Sequence, residues 1–252
     1  MRRANWQHRA GYYNDERATY RRAIRVIEES AGRDDPRLVE PLVKLAKSYY
    51  YFEPVPDGMA SPINSPGAAE GYLKRASRIA EDSDELPWFE KASTRLALAD
   101  YYLARESHSR ARRIYSDVWK ELSASEDGTD MRPELMQSLQ PIWQEPLPPY
   151  TKGAAGVKDT RNGDVRNGSV TVKYVIDERG HPRIAEIRTQ PEDFSDMERM
   201  VVREIKQRRF RPLVIDGDIT QSEIQTFSHE FRYRQSELDE MRAENAKVED
   251  GE

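Results

Sequence analysis

The apolar pattern changes its period near residue 145, and one kind of secondary structure cannot satisfy both halves. Before that point apolar and small residues return every three or four positions, as in Glu16-Arg17-Ala18-Thr19-Tyr20-Arg21-Arg22-Ala23-Ile24 and Leu96-Ala97-Leu98-Ala99-Asp100-Tyr101-Tyr102. Beyond it, Val170, Val172, Tyr174 and Ile176 alternate strictly with polar or differently facing neighbours. A helix returns to one face about every 3.6 residues and a strand every second residue. The chain therefore reads as multidomain, with all-α helical repeats over residues 1–144 and a small α+β domain over 168–235. A Pro/Gly-rich linker, 145–167, separates them, and an acidic tail, 236–252, follows.

Composition narrows the function classes. Hydrophobic residues are 37% and charged residues 34% of the 252, a low apolar share that suits thin helical layers better than one large globule. The net charge of -5 resides in the tail, where Glu237, Asp239, Glu240, Glu244, Glu249, Asp250 and Glu252 face only Arg242 and Lys247. The remaining body is balanced, which argues against a nucleic-acid binder. The tail itself reads as a solvated or frayed helical end without a partner. With no cysteine, disulfides, thiol nucleophiles and Cys-based zinc sites are excluded. No apolar run reaches the roughly 18 residues of a membrane span. The start, Met1-Arg2-Arg3-Ala4-Asn5-Trp6, is charged without an apolar core, so the expectation is a chain lacking its leader as written, either cytosolic or already trimmed.

The helical half contains a repeat. Ala23 to Ala46 and Ala76 to Ala99 are each 23 residues apart, with small residues where two helices must approach closely. Leu45, Ala46 and Tyr49, and again Leu98, Ala99 and Tyr102, resemble the first helix of the tetratricopeptide repeat, a helix pair of about 34 residues. Ala69, Leu73 and Ala76, and Ala111, Tyr115 and Val118, resemble its second helix. Gly11 to Ile27 reads as a second helix with its own first helix short or missing, and Met131 to Trp143 as a closing helix. An ordinary helical bundle is the competing reading. Between Glu53 and Pro66, four prolines demand a loop. The resemblance implies a concave face of first-helix residues, here Val43, Lys47 and Tyr50 with Leu96, Asp100 and Leu103, recruiting a protein or peptide partner. Tyr50 and Tyr51 serve equally well as filling beneath the Pro-rich insertion.

In the second half, Gly168–Ile176 reads as a strand, Asp177-Glu178-Arg179-Gly180 as a turn, and Arg183–Thr189 as the returning strand. Phe194, Met197, Val201 and Ile205 form a helical stripe facing the sheet. Asp216-Gly217 reads as another turn, and Phe227, His229, Phe231 and Tyr233 alternate in a last strand. This β-β-α-β order resembles the C-terminal domain of the TonB energy-transducer family, through Gly168-Ser169-Val170, Ile176-Asp177-Glu178-Arg179-Gly180, Arg209-Phe210-Arg211-Pro212, Asp216-Gly217 and Phe231-Arg232-Tyr233. The resemblance implies a periplasmic domain whose last strand is an open edge. There an extended segment of an outer-membrane receptor or other envelope protein adds by main-chain pairing. The expected edge residues are Ile224, Thr226, Phe227, Ser228, Glu230 and Arg232.

The family's N-terminal membrane helix and long Pro-rich span are not in this sequence, which weakens force transduction as the task of the whole protein. Membrane association would come only through a partner or a missing anchor. The alternative reading is a structural scaffold or homodimer of the cell envelope. No G-x-S-x-G, P-loop or H-E-x-x-H occurs, so no enzyme, cofactor or metal is expected. His8, His108, His181 and His229 lack ligand spacing and read as structural. Lys206, Arg208, Arg209 and Arg211 around Phe210 suit an anionic partner, but cations at a helix C-terminus explain them better.

Overall fold

The computed structural model describes Ala4 and residues 13–50, 66–124, 126–137, 139, 141–143 and 164–249. Its elements, in chain order, begin with α1 (Tyr13–Ala31), a 3-10 turn (Pro36–Leu38), α2 (Val39–Tyr50), α3 (Pro66–Asp82), α4 (Trp88–Ala104), α5 (His108–Ser123) and α6 (Glu126–Leu135). There follow β1 (Pro141–Trp143), β2 (Val165–Ile176), β3 (Pro182–Gln190), α7 (Ser195–Gln207), β4 (Arg209–Phe210), β5 (Leu213–Ile215), β6 (Asp218–Thr220), β7 (Gln225–Arg234) and α8 (Gln235–Glu249). The fold is mostly helical with small antiparallel sheets toward the C-terminus. No helix among the described residues is long and apolar enough to cross a membrane.

The chain forms two compact units that do not follow sequence order. One contains Met1–Trp143 together with Glu178–Gly180 and Arg209–Thr220, and the other contains Gln144–Asp177, His181–Arg208 and Gln221–Glu252. The segments Glu178–Gly180 and Arg209–Thr220, which sequence order groups with the sheet, thus belong to the helical unit. Of the linker 145–167, all but the last four residues lie outside the described residues, and β2 already begins at Val165.

In the helical unit each helix from α1 to α6 packs on the next, and α2 also packs on α4, as helical hairpins stacked in a row require. The spacing that suggested a repeat has a packing cause. Ala46, Ala69, Ala76, Ala99 and Ala111 are fully buried at the crossings, where a missing side chain lets backbones approach. Leu45, Leu73, Tyr115 and Val118 fill the gaps between them, also fully buried. Each buried leucine contributes about 1.5–3 kcal/mol relative to exposure. The break after α1 is fixed by Asp35, whose carboxylate accepts the Arg37 N–H at 2.9 Å and caps the 3-10 turn that Pro36 opens. The Pro-rich loop expected over Glu53–Pro66 lies outside the described residues, apart from Pro66 at the start of α3.

The expected closing helix Met131–Trp143 is corrected. Helix α6 runs over Glu126–Leu135, and Pro141–Trp143 is extended and pairs antiparallel with Arg209–Phe210. Pro141 has no N–H to give a helix, but it is tolerated at the start of a short strand. Downstream, β5 and β6 form a hairpin whose turn is Asp216-Gly217, both with positive φ (53° and 89°), the conformation a two-residue hairpin turn needs. Val214 and Ile219 from this hairpin join the helical core.

The sheet unit is a three-stranded antiparallel sheet in the order β3-β2-β7. Met197, Val201 and Ile205 of α7 are buried, as the apolar stripe predicts, and Phe194 caps the start of the helix with only 9% exposure. On the same face of the sheet Val170, Val172, Tyr174 and Ile176 are buried. Phe231 lies opposite Gly168, and its ring occupies the space a side chain there would take: a Cβ on Gly168 would stand 2.4 Å from Phe231 Cζ. Phe194 and Tyr233, with ring centroids 5.0 and 6.2 Å away, hold that ring. The tail is not a free end at its start. Helix α8 buries Leu238, Ser236 Oγ donates to Asp164 at 2.7 Å, and Arg242 pairs with Asp193 at 2.8 Å. One apolar residue at the right turn of the helix anchors an otherwise polar segment.

Candidate interaction sites

The first site is the border of the sheet. Strand β7 pairs along Gln225–Arg234 with β2, and among the described residues it has no strand on its other side. Alternate residues of a strand direct their N–H and C=O groups to opposite borders, so β7 keeps a row of backbone donors and acceptors outside the ladder. Of the expected edge residues, Thr226, Ser228, Glu230 and Arg232 share the exposed polar face. Ile224 stands just before the strand with 62% exposure. Phe227 is on the opposite face, half-buried, with the Arg208 guanidinium 4.4 Å from its ring centroid. His229 also lies on that face. Its Nε2 is buried without a hydrogen-bond partner among the described residues, and burial pulls its pKa below the ordinary 6.5.

The polar face of the sheet sorts its charges by strand. Lys173 of β2 donates to Glu186 of β3 at 2.8 Å, and Glu186 also accepts from Arg188, so those charges are matched inside the sheet. On β7, Glu230 is opposite Ser169 and Arg232 is opposite Asn167, both neutral. Neither charge has an ion-pair partner among the described residues.

The second site is a groove of about 420 Å³ between α2 and α4. Val39, Val43 and Lys47 line it from α2, and Glu90, Thr94 and Ala97 from α4. Two expected residues, Val43 and Lys47, are therefore on its wall. Burial lowers the Lys47 pKa, an effect that Asp100 opposes and that Arg211 and Lys44 reinforce. The side chain of Tyr50 lies outside the described residues.

The other three expected groove residues require correction. Leu96 is fully buried, and Leu103 and Asp100 are 3% and 6% exposed, so none of them offers an open surface. For Asp100 the partner is Arg211. Its Nε donates to Asp100 Oδ1 at 2.9 Å, its Nη2 to Oδ2 at 2.6 Å, and its Nη1 to the Leu135 carbonyl at 2.6 Å. The Tyr115 hydroxyl donates to the same Asp100 Oδ1 at 2.8 Å. This fork-to-fork pairing spans 111 residues of sequence and seats Arg209–Thr220 in the helical unit. Val214 N–H to the Met136 carbonyl at 3.1 Å and Phe210 N–H to the Gly180 carbonyl at 3.0 Å secure it further. In the sequence Asp100 reads as a concave-face residue and Arg211 as part of a basic cluster around Phe210, and nothing local joins them.

A second recess of about 380 Å³ in the same unit is lined by Leu103, His108, Arg112, Tyr115, Glu178 and Ile219, among others. Arg112 and Glu178 are only 3.7 Å apart there but both well exposed, so their pairing is weak. Among the described residues there is no group of three or more His, Asp or Glu able to hold a metal ion. No family model, curated protein or solved structure matches the chain.

Proposed function

We propose that the protein is a non-enzymatic interaction module of the periplasm, in which a TonB C-terminal-like domain docks an extended segment of an envelope or outer-membrane receptor protein by strand addition. The tetratricopeptide-like helices recruit a second partner through the groove between α2 and α4. The observation that supports this best is the side of β7 that has no neighbouring strand among the described residues, together with its exposed polar face. Main-chain hydrogen bonds supply affinity in such docking, and the exposed side chains of Thr226, Ser228, Glu230 and Arg232 select the sequence. The stack of helical hairpins, the buried alanines at their crossings and the position of Val43 and Lys47 on the groove wall support the second half of the reading.

The test begins with a peptide selected from a random display library against the full chain, then binds it to Phe227→Pro and Ser228→Pro variants. Successive residues turn their N–H groups to opposite borders, so one variant loses a donor to β2 and the other loses a donor on the open side. The open-side variant should keep its far-UV circular dichroism and bind the peptide about tenfold or more weakly, through a lost hydrogen bond and a steric block. Wild-type affinity in both variants would remove strand addition.

A further inference from the structure

We propose that the recess at Leu103, Tyr115 and Ile219 binds a small aromatic anion, a ring carrying a carboxylate or phosphate, with the ring on those three residues and the oxyanion on Arg112 and Arg179. The site shares no lining residue with β7 or with the α2–α4 groove, so it stands without either of those readings. Its lining divides by burial. Leu103, Tyr115 and Pro212 are buried and Ile219 is half-buried, which makes them the floor. Arg112, Glu178 and Arg179 are exposed, which makes them the rim. An apolar floor with a few charged groups at its mouth is the usual makeup of a ligand site. At about 380 Å³ the recess stands at the small end of such sites, roughly 300–1,000 Å³, and suits one or two rings.

The walls are fixed by contacts of the chain itself. The turn Glu178–Gly180 comes this close only because residue 180 is glycine. Its φ is 77°, and a Cβ there would stand 2.2 Å from the Phe210 carbonyl oxygen and 3.0 Å from Leu103 Cδ2. The Phe210 N–H donates to the Gly180 carbonyl at 3.0 Å, which pins the turn and so fixes where the Glu178 and Arg179 side chains begin. Tyr115 is held through its hydroxyl on Asp100, and Arg211, bidentate on the same carboxylate, directly precedes Pro212. A site braced in this way loses little freedom when a ligand enters. The charges then set the sign of that ligand. Two arginines and one glutamate line the recess, so a cation would meet net repulsion. Arg112 Nη2 lies 3.7 Å from Glu178 Oε2 with both side chains well exposed, longer than a charge-assisted hydrogen bond and easily parted. The freed guanidinium offers a planar fork that matches two oxygens of a carboxylate or phosphate. The Tyr115 ring in the floor favours an aromatic body, which it can meet edge to face.

Isothermal titration calorimetry of the full chain with phenyl phosphate and with benzoate tests the assignment. At least one of them should bind one-to-one with a Kd below about 1 mM, a modest affinity for a ligand of about ten non-hydrogen atoms. Inorganic phosphate, the head without the ring, and benzyl alcohol, the ring without the charge, should each bind at least about tenfold more weakly. Two exposed rim residues give effects of opposite sign. Arg112→Gln removes the counter-charge and should weaken binding about tenfold, whereas Glu178→Gln removes the competing carboxylate and should tighten it about two- to fivefold. Ser109→Trp, a bulky change at an exposed lining position of α5, should abolish binding with unchanged far-UV circular dichroism. Failure of both aromatic anions to bind, equal binding of inorganic phosphate or benzyl alcohol, unchanged affinity in Arg112→Gln, or weaker binding in Glu178→Gln would overturn the proposal.

Discussion

Removing the carboxylate of Asp100 is the sharpest probe of how the helical unit is closed. In Asp100→Leu the Arg211 guanidinium loses two hydrogen bonds that end on that carboxylate and keeps the one to the Leu135 carbonyl. The Tyr115 hydroxyl loses its acceptor at the same time. Arg211 and Asp100 side chains are each 8% exposed, so water cannot replace the lost bonds without opening the unit. Breaking one partner of a buried pair costs about 3–5 kcal/mol. With a urea dependence of about 2 kcal/mol per molar, that moves the unfolding midpoint down by roughly 1.5–2.5 M. Arg211→Met should cost less, since Asp100 keeps Tyr115 and the nearby positive charge of Lys47. The double variant should fall within about 2 kcal/mol of wild type, far from the sum of the two singles, because no charge is then stranded. Tryptophan fluorescence reads the event cleanly: Trp88, Trp119 and Trp143 belong to the helical unit, and the sequence has no tryptophan beyond 143. A loss below about 1 kcal/mol for Asp100→Leu, or additive losses in the double variant, would refute the clasp.

Two further predictions concern the sheet unit. Gly168→Ala drives a methyl group into the ring of Phe231, which Phe194 and Tyr233 prevent from moving aside, and should cost about 1–3 kcal/mol. Amide hydrogen exchange on β2 measures it, and Phe231→Leu in the same chain should return part of the loss; no change in exchange would show that the ring is free to yield. His229 makes the same unit acid-sensitive. Its pKa is depressed in the folded state, so below 6.5 the unfolded chain takes up the proton first and stability falls with pH, whereas above 6.5 its contribution is level. The protection of β2 amides, the intrinsic exchange rate divided by the observed one, should therefore fall between about pH 7.5 and 5.5 in wild type and fall less in His229→Phe.

Local periodicity carried most of the architecture. The alanines of the helix crossings, the alternation of β2 and β7 and the stripe on α7 each depend on neighbours within a few residues; they lie buried as the pattern implies, except that on β7 only Phe231 and Tyr233 are buried and Phe227 and His229 are half-buried. Turns were equally legible, since Gly180 and Asp216-Gly217 do adopt positive φ. What escaped reading was long-range. Asp100 looks like a surface acid on a first helix, and only the arrival of Arg211 makes it a core residue. Leu103, likewise expected on the groove, is 3% exposed and belongs to the core. Pro141 ends one pattern without announcing that β4 waits to pair with it. The edge residues fared differently, because exposure of Thr226, Ser228, Glu230 and Arg232 follows from alternation alone. The absence, among the described residues, of a second neighbour for β7 follows from topology, which no short window of sequence contains.

The clasp has a consequence for the order in which the protein can be made. Asp100 leaves the ribosome 111 residues ahead of Arg211, a delay of about 5–20 s at ordinary rates of elongation. Throughout that interval the nascent helices carry a carboxylate whose permanent counter-charge has not been synthesised, and a slot that Val214 and Ile219 will later fill. A chain arrested or cleaved before Arg209 should accordingly be the more readily degraded, because a segment near the end of the sequence completes helices made long before it.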